Sequence, residues 1–465
     1  MKSHLFRLTP YALLLTALFV LPAFSQQRWE RNYGGQYSDE GYSVQQTNDG
    51  GYIVAGYSSS FGNQVYLIKT NAFGDTLWTK TYGGAGTDEG RSVQQTSDGG
   101  YIVAGRTNSF GNGDQFYLVK TNASGDTLWT KAYGGTSQDW GYSVQQTNDG
   151  GYIAAGWTTS FGNAFQVYLI KTNASGDTLW TRTYGDTLFD EGNSVQQTSD
   201  GGYIVAGRTN SFGYLFQVYL IKTNASGNTL WTRTYGGASQ DWGYSVQQTS
   251  DGGYIVAGGT ESFGKGDQVY LIKTNASGDT LWTRTYGDTL FDEGNSVQQT
   301  SDTGYIIVGR TLSFGNRWQA YLIKTNASGD TLWTRTYGGT SQGWGNFVHQ
   351  TTDEGYIVAG SCSYSGGYPN IYLIKTDANG SSGVEEKAEV RGQRLENRIT
   401  AKPNPFTSFT ALPGHEVERF SLYDISGRRV GVYRGDRIGE GLRAGVYFLR
   451  AESGEGKPLR IVKVR

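Results

Sequence analysis

The residues able to do chemistry in this chain come in sevens. Lysine recurs at Lys69, Lys120, Lys171, Lys222, Lys273, Lys324 and Lys375, and tryptophan at Trp29, Trp78, Trp129, Trp180, Trp231, Trp282 and Trp333. Adjacent carboxylates stand at Asp39-Glu40, Asp88-Glu89, Asp190-Glu191 and Asp292-Glu293. A ring of such pairs offers the hard oxygen ligands that calcium prefers. No Asp-x-Asp-x-Asp loop accompanies them, and the glycine after each pair points instead to an aspartate stabilising a turn. A glycosidase needs two singular carboxylates flanking a cleft, and a residue present in every copy serves the copy. Histidine occurs only at His4, His349 and His415, and Cys362 is the single cysteine. Cysteine-based and histidine-rich metal sites and an intramolecular disulfide are thereby excluded. His349 stands alone where the other copies carry glutamine. There is no Gly-x-Ser-x-Gly elbow, nucleotide loop or histidine dyad. The expectation is a chain without catalytic residues, metal or cofactor.

Chemistry confined to one place must come from positions that differ between copies. One such stretch reads Gln138-Asp139-Trp140, Leu188-Phe189, Gln240-Asp241-Trp242, Leu290-Phe291 and Gln342-Gly343-Trp344. The other holds Arg106, Trp157 and Arg208 near its start, with Phe165, Phe216, Arg317-Trp318 and Tyr368-Pro369 near its tip. Loops on a rigid scaffold carry most binding sites, and Trp, Tyr and Arg are the usual anchors. Trp140, Trp157, Trp242, Arg208, Phe216, Trp318 and Trp344 are therefore the candidate ligand-binding residues. The same side chains could instead pack against each other between copies. The alternation of Trp140 with Leu188-Phe189 reflects duplication of a two-copy unit, so part of this variation is ancestry.

The elements that must position these residues follow from the period. The string Ser-Val-Gln-Gln-Thr, or a variant, recurs with its valine at 44, 93, 144, 195, 246, 297 and 348, a unit of about 51 residues. In one copy, short strands run over 142–147, 152–156, 167–172 and 177–184. Asn148-Asp149-Gly150-Gly151 and Asn173-Ala174-Ser175-Gly176 form tight turns between them. Four strands per unit at this period is the content of a propeller blade. Strands such as 152–155 and 167–170 are apolar on both faces and need cover on both, which stacked blades supply. The two invariant turns share one face of the disc, and the variable connections share the other. The seventh copy ends after three strands, and the missing fourth is available at the start. Residues 28–34 are expected to pair with 371–376, removing the open edges. The fold class is all-β: a seven-bladed β-propeller of four-stranded antiparallel blades over residues 26–380, followed by a small C-terminal β-sandwich. The Asn-Ala-Ser sequences at Asn122, Asn173, Asn224, Asn275 and Asn326 fit a glycosylation sequon but read as turns.

Across residues 28–380, Trp-Thr-Arg-Thr-Tyr-Gly-Gly, Thr-Ser-Asp-Gly-Gly-Tyr-Ile-Val-Ala-Gly and Tyr-Leu-Ile-Lys-Thr-Asn resemble the β-propeller repeats of secreted bacterial proteins. The third and fourth strands also resemble the quinoprotein-type Trp-docking repeat. The resemblance implies binding or scaffolding.

Composition changes after Gly380. A polar linker runs over 381–397, and residues 398–465 form a separate all-β unit. Its motifs are Lys402-Pro403-Asn404-Pro405-Phe406, Phe420-Ser421-Leu422-Tyr423-Asp424-Ile425-Ser426-Gly427-Arg428, Ala444-Gly445-Val446-Tyr447-Phe448-Leu449 and Ile461-Val462-Lys463-Val464-Arg465. In that order they resemble the type A sorting domain of type IX secretion, a match over 399–465. The resemblance implies contact with the type IX secretion machinery through Pro403, Asn404, Pro405, Tyr423, Asp424, Gly427, Gly445 and Tyr447. It also implies export across an outer membrane, cleavage of the tail, and a Bacteroidota-like source. At the other end, Lys2 and Arg7 precede an apolar run over 11–20, and Ala23-Phe24-Ser25 is a small-x-small cleavage site. Residues 1–25 thus read as a signal peptide, and no segment is long and apolar enough to span a membrane. The net charge of −2 gives no global attraction to nucleic acid. The expected protein is secreted or held on the outer-membrane surface and binds a polysaccharide or a surface protein. A propeller-fold enzyme, quinoprotein-like or glycan-active, is the alternative; it requires unique polar residues converging on the channel.

Overall fold

A computed structural model describes residues 28–383 apart from 163, 214, 340 and 364–366, and residues 408–412, 419–424, 428–434, 436–451 and 459–463. The chain divides into two compact units, 1–388 and 389–465. Among the described residues every element is a strand, and no helix is long and apolar enough to cross a membrane.

The larger unit contains seven four-stranded antiparallel sheets. The first is β2 (Asp39–Gln46), β3 (Tyr52–Ser58), β4 (Gln64–Thr70) and β5 (Thr76–Tyr82), paired in chain order. The next five sheets repeat this order through β25 (Thr331–Tyr337). The seventh joins β26 (Gln342–Gln350), β27 (Tyr356–Ser363) and β28 (Asn370–Thr376) to β1 (Trp29–Tyr33) from the start of the chain. Trp29 lies opposite Lys375 and Tyr33 opposite Ile371. Seven apolar cores lie between successive sheets. The one that closes the ring brings Trp29, Val44, Tyr52 and Ile68 against Ile357, Ala359, Ile371 and Leu373. Seven such sheets with the first packed on the last are a seven-bladed β-propeller.

The invariant residues are fastenings, some between blades and some within one. The outermost strand of each blade carries a tyrosine whose hydroxyl donates to a turn carbonyl of the next blade. Tyr82 reaches Gly125 at 2.7 Å, Tyr133 reaches Gly176 at 2.6 Å, and Tyr33 in the closing strand reaches Gly74 at 2.6 Å. Beside each tyrosine, the tryptophan meets the innermost-hairpin tyrosine of the next blade edge-on, as Trp129 does with Tyr152 at 5.8 Å. The turn beneath needs glycine twice over. Gly176 has φ +78°, and a Cβ there would lie 2.9 Å from the Trp129 ring. The repeated lysine is buried, and its ammonium is held by the aspartate of the Asp-Gly-Gly turn: Lys171 to Asp149 at 2.8 Å, with the Thr172 carbonyl at 2.9 Å. That aspartate also accepts from Thr147 Oγ1 at 2.5 Å and the Gly151 amide at 3.0 Å. Asn173 Oδ1 accepts the amides of Ser175 and Asp177 at 2.9 and 2.8 Å, so this asparagine builds a turn.

The smaller unit's described strands are β29 (Arg419–Asp424), β30 (Arg429–Arg434), β31 (Gly445–Ala451) and β32 (Leu459–Lys463), in the order β30-β29-β31-β32. They form one sheet. An isolated bridge, Thr410 to Ile438, packs against it through Leu412, Ile438, Phe420, Leu422, Leu449 and Ile461. The second layer of the expected sandwich is confined, among the described residues, to this bridge. Asp424 Oδ1 accepts the Arg428 amide at 3.1 Å across the hairpin turn. The Tyr447 hydroxyl donates to the Arg443 carbonyl at 2.8 Å, and a Cβ on Gly445 would touch the Tyr447 ring at 3.4 Å. The backbone of Tyr423 lies opposite Phe448. Pro403, Asn404, Pro405, Gly427, the 1–25 segment and linker residues 384–397 lie outside the described residues.

Candidate functional site: the mouth of the propeller channel

Because strands alternate in direction, the tight turns of all blades share one face, and the connections between second and third strands and from one blade to the next share the other. On that second face each connection is clamped by its neighbours: the Asp88 amide donates to Asn63 O and the Asn108 amide to Thr87 O, at 2.8 and 2.9 Å. The aspartates that open the innermost strands are fully buried inside this clamp. Asp88 accepts from the Thr107 and Ser109 hydroxyls and from the Gly84 amide. Asp39 is held the same way by Ser58, Ser60 and Gly35. These carboxylates are therefore loop fastenings, and calcium ligation by the acidic pairs loses half its ligands. No group of three or more His, Cys, Asp or Glu able to hold a metal occurs among the described residues.

The lower channel repeats three hydrogen-bond rings. Gln95 N donates to Gln45 Oε1 at 2.6 Å, and the pattern steps around the blades to Gln350 and Gln298. Val93 N likewise donates to Ser43 Oγ at 3.2 Å. The second glutamine of each strand accepts the amide of the preceding blade's turn, and Thr352 to Gln46 at 2.9 Å completes that circle. Blade seven departs from the pattern: Phe347 replaces the serine and His349 the first glutamine. The His349 Nδ1 is buried without a hydrogen-bond partner, and burial lowers its pKa, favouring the neutral ring.

Above these rings the innermost strands diverge. Just before the repeated glycine stand Glu40, Glu89, Trp140, Glu191, Trp242, Glu293 and Trp344, and just after it Tyr42, Arg91, Tyr142, Asn193, Tyr244, Asn295 and Asn346. Three of the glutamates are matched by an arginine on the adjacent strand. Arg106 pairs with Glu89, Arg208 with Glu191 at 3.1 Å and Arg310 with Glu293 at 2.6 Å. Arg91 adds a second cation to Glu89 at 2.5 Å, and Arg106 also meets Asp114 at 3.1 Å. Burial raises the Glu89 pKa, but these two guanidiniums outweigh it and hold the carboxylate below its usual range. The asparagines tie blades together, Asn295 Nδ2 donating to Gly345 O at 2.9 Å and Asn346 Nδ2 to Gly41 O at 2.8 Å. A cavity of about 350 Å³ opens among them, lined by Glu40, Tyr42, Arg91, Glu293, Asn295, Arg310, Trp344 and Asn346.

The candidate anchors do not all face solvent. Trp157 is 6% exposed, so it is a packing residue and not a free anchor: its ring stacks on Trp140 at 5.4 Å and packs on Phe165 at 4.8 Å. Trp140 is further covered by the Arg106 guanidinium at 4.1 Å and hydrogen-bonds Asp114 at 3.2 Å. Arg208 is clamped between Phe189 and Phe216, 5.1 and 4.8 Å from their centroids. Arg310 lies 4.7 Å from Trp318, which meets Phe291 edge-on. Aromatic residues contributed by neighbouring loops meet each other, as Phe165 and Phe189 do at 4.5 Å, because clustering removes more apolar area from water than separate exposure. Trp242 sits over Gly259, whose Cβ would come within 3.2 Å of its ring. Trp344 lies opposite Ser361 in the ladder and lines the cavity. Trp242 and Trp344 are the candidate anchors that, among the described residues, carry no aromatic or guanidinium on their rings. Sequence reasoning missed Tyr42, Arg91, Asn295 and Asn346. Their signal was the position just after the repeated glycine, where the residue type changes from blade to blade.

The fold and its site define a repeat β-propeller with a polar, non-repeating channel mouth. No protein-family model matches the chain, and no curated protein matches it. Among solved structures it is similar to the WD40 domain of Neurospora crassa Pan2, at 11% identity and TM-score 0.47, over 76% of this chain and 98% of that one. It is similar to BamB from Moraxella catarrhalis at 12% identity and TM-score 0.37, over 72% and 85%. It is also similar to an S511A mutant of puromycin hydrolase complexed with PGG, at 12% identity and TM-score 0.49, over 90% of this chain and 59% of that one. These likenesses concern the fold and bring no activity or ligand to this chain.

Proposed function

We propose that this protein is a non-catalytic binding propeller, secreted or held at the outer-membrane surface, that takes a polysaccharide or a surface protein at its channel mouth. The observation that carries the reading is the contrast between repeated and non-repeated residues. The repeated aspartates, lysines, tyrosines and tryptophans are occupied in holding strands and blades together, whereas a set of side chains that differ meets around one cavity with Trp344 on its wall. A pocket of this size with one aromatic wall and a few convergent polar groups suits a single sugar ring or a side chain. A glycan-array screen of the intact chain beside a Trp242→Ala/Trp344→Ala variant tests it. Binding to one glycan class, lost in the variant at unchanged melting temperature, is expected. Turnover of any bound glycan would move the reading to an enzyme.

The export half of the proposal rests on the motif order over residues 399–465 and the apolar, small-x-small start of the chain. It is supported by an independent compact C-terminal unit. In a host with type IX secretion, expression of the full chain is expected to place the propeller in the medium or on the surface, and expression of a chain lacking residues 398–465 to leave it inside the outer membrane. Equal export of both would contradict it.

A further inference from the structure

Charges at the channel mouth are unevenly paired, two arginines on Glu89 and none on Glu40. Arg106, Arg208 and Arg310 answer the glutamates of blades two, four and six, but blade one has Tyr57 opposite Glu40 in the ladder. Among the described residues Glu40 has no ion pair. Its one hydrogen bond comes from the Tyr42 hydroxyl to Oε2 at 2.7 Å, which leaves Oε1 open. The nearby guanidiniums are committed elsewhere. Arg91 is bound through Nε and Nη2 to Glu89 while lying 3.9 Å over the Tyr42 ring, and Arg310 is bound to Glu293. Asn295 and Asn346 each give one amide hydrogen to a backbone carbonyl of the next blade, and among the described residues the Oδ1 of each stays available as an acceptor. The uncovered ring of Trp344 completes the wall.

The Glu40 carboxylate, two amide oxygens and an indole face are electron-rich, and the two guanidiniums beside them are already paired with Glu89 and Glu293. Such a set favours a cation that can also donate hydrogen bonds, through charge-assisted contacts and cation–π attraction. Resting on the binding role proposed above, we infer that this cavity recognises a protonated amino sugar, its ammonium on Glu40 and its pyranose face on Trp344. A ring-sized cavity with an aromatic wall suits a sugar better than the thin, flexible stem of a lysine.

Calorimetric titration of the full chain with the glucosamine trimer and with its N-acetylated counterpart tests this, at a pH where the amine is protonated and carboxylates are ionised. The two probes differ in charge at the same position. The amine form should bind, the N-acetylated form at least about tenfold more weakly, and added salt should weaken the first alone. Glu40→Gln, which keeps shape and an acceptor, should cost the amine form about tenfold or more, with the melting temperature unchanged. Equal binding of the two trimers, unaffected by Glu40→Gln but lost in Trp344→Ala, would overturn the cation site while leaving the mouth a sugar site. Binding of a lysine peptide in place of the glucosamine trimer would overturn the sugar assignment. Binding of neither trimer at the mouth would overturn the inference, and the array screen then decides the wider reading separately.

Discussion

Deletion of residues 28–33 is expected to open the ring and produce a chain that unfolds far earlier and self-associates. These residues supply the fourth strand of the seventh blade. Without them β28 presents an unpaired row of amides and carbonyls, a template for another chain. Trp29 would leave a core in which it is 6% exposed, meets Tyr52 at 5.7 Å and donates to Ala72 O at 3.1 Å. The Tyr33 to Gly74 bond would go as well. Trp29→Ala alone should cost about 3–5 kcal/mol, the usual range for removing a buried aromatic. Denaturant unfolding measures this cost, and light scattering detects association of the deleted chain. A deleted chain that stays monomeric and melts with the intact one would show that the strand pairing is not what closes the ring.

Stability should form a plateau in pH with a loss at each end, the acid end set by turn aspartates bound inside each blade and the alkaline end by tyrosines buried between blades. Burial works against the charge of Asp98, Asp149, Asp200 and Asp251. Hydrogen bonds from their threonine and lysine partners and from a turn amide more than offset it, holding each at about 2. A carboxyl whose folded pKa is depressed contributes stability above its unfolded value of about 4 and loses it as pH falls toward 2. At the other end, burial, with help from an aspartate of the preceding blade, pushes the phenols of Tyr101, Tyr152, Tyr203, Tyr254 and Tyr305 up to about 12. A raised pKa contributes stability below the unfolded value of about 10 that is lost as pH rises toward 12. The melting temperature should therefore be level from about pH 5 to about pH 9 and fall below 4 and above 10. In the same series Asp149→Ala should cost about 2 kcal/mol, because it leaves the Lys171 ammonium buried with only a carbonyl partner. A melting temperature unchanged down to pH 2 would contradict the role given to these carboxylates.

The blade content was legible because the period is regular and each turn announces itself: Asn148-Asp149-Gly150-Gly151 and Asn173-Ala174-Ser175-Gly176 bound strands of matching length. A seventh copy short of a strand and a spare strand at Trp29 leave one economical pairing. What joins the blades was not legible. Tyr82 meets Gly125 only through the stacking of sheets, Lys171 meets Asp149 only through strand pairing inside one blade, and an invariant residue looks the same in sequence whether it is catalytic, bonded or packed. The mouth was half legible. Variation marked Trp157 and Arg208 as candidate anchors, but variation cannot tell a side chain that meets a partner from one that meets Phe165 or Phe216. Glu40 looked like its fellow glutamates, and only the absence of an arginine across the ladder sets it apart.

The proposed function requires that binding reside on the non-repeating face. The direct measurement is the affinity of the glycan found by the array for the intact chain, for Trp344→Ala at the channel mouth, and for Asn326→Ala in a tight turn on the opposite face. The account predicts loss of binding in Trp344→Ala at an unchanged melting temperature and full binding in Asn326→Ala. Full binding in Trp344→Ala, with loss in the turn variant, would contradict it.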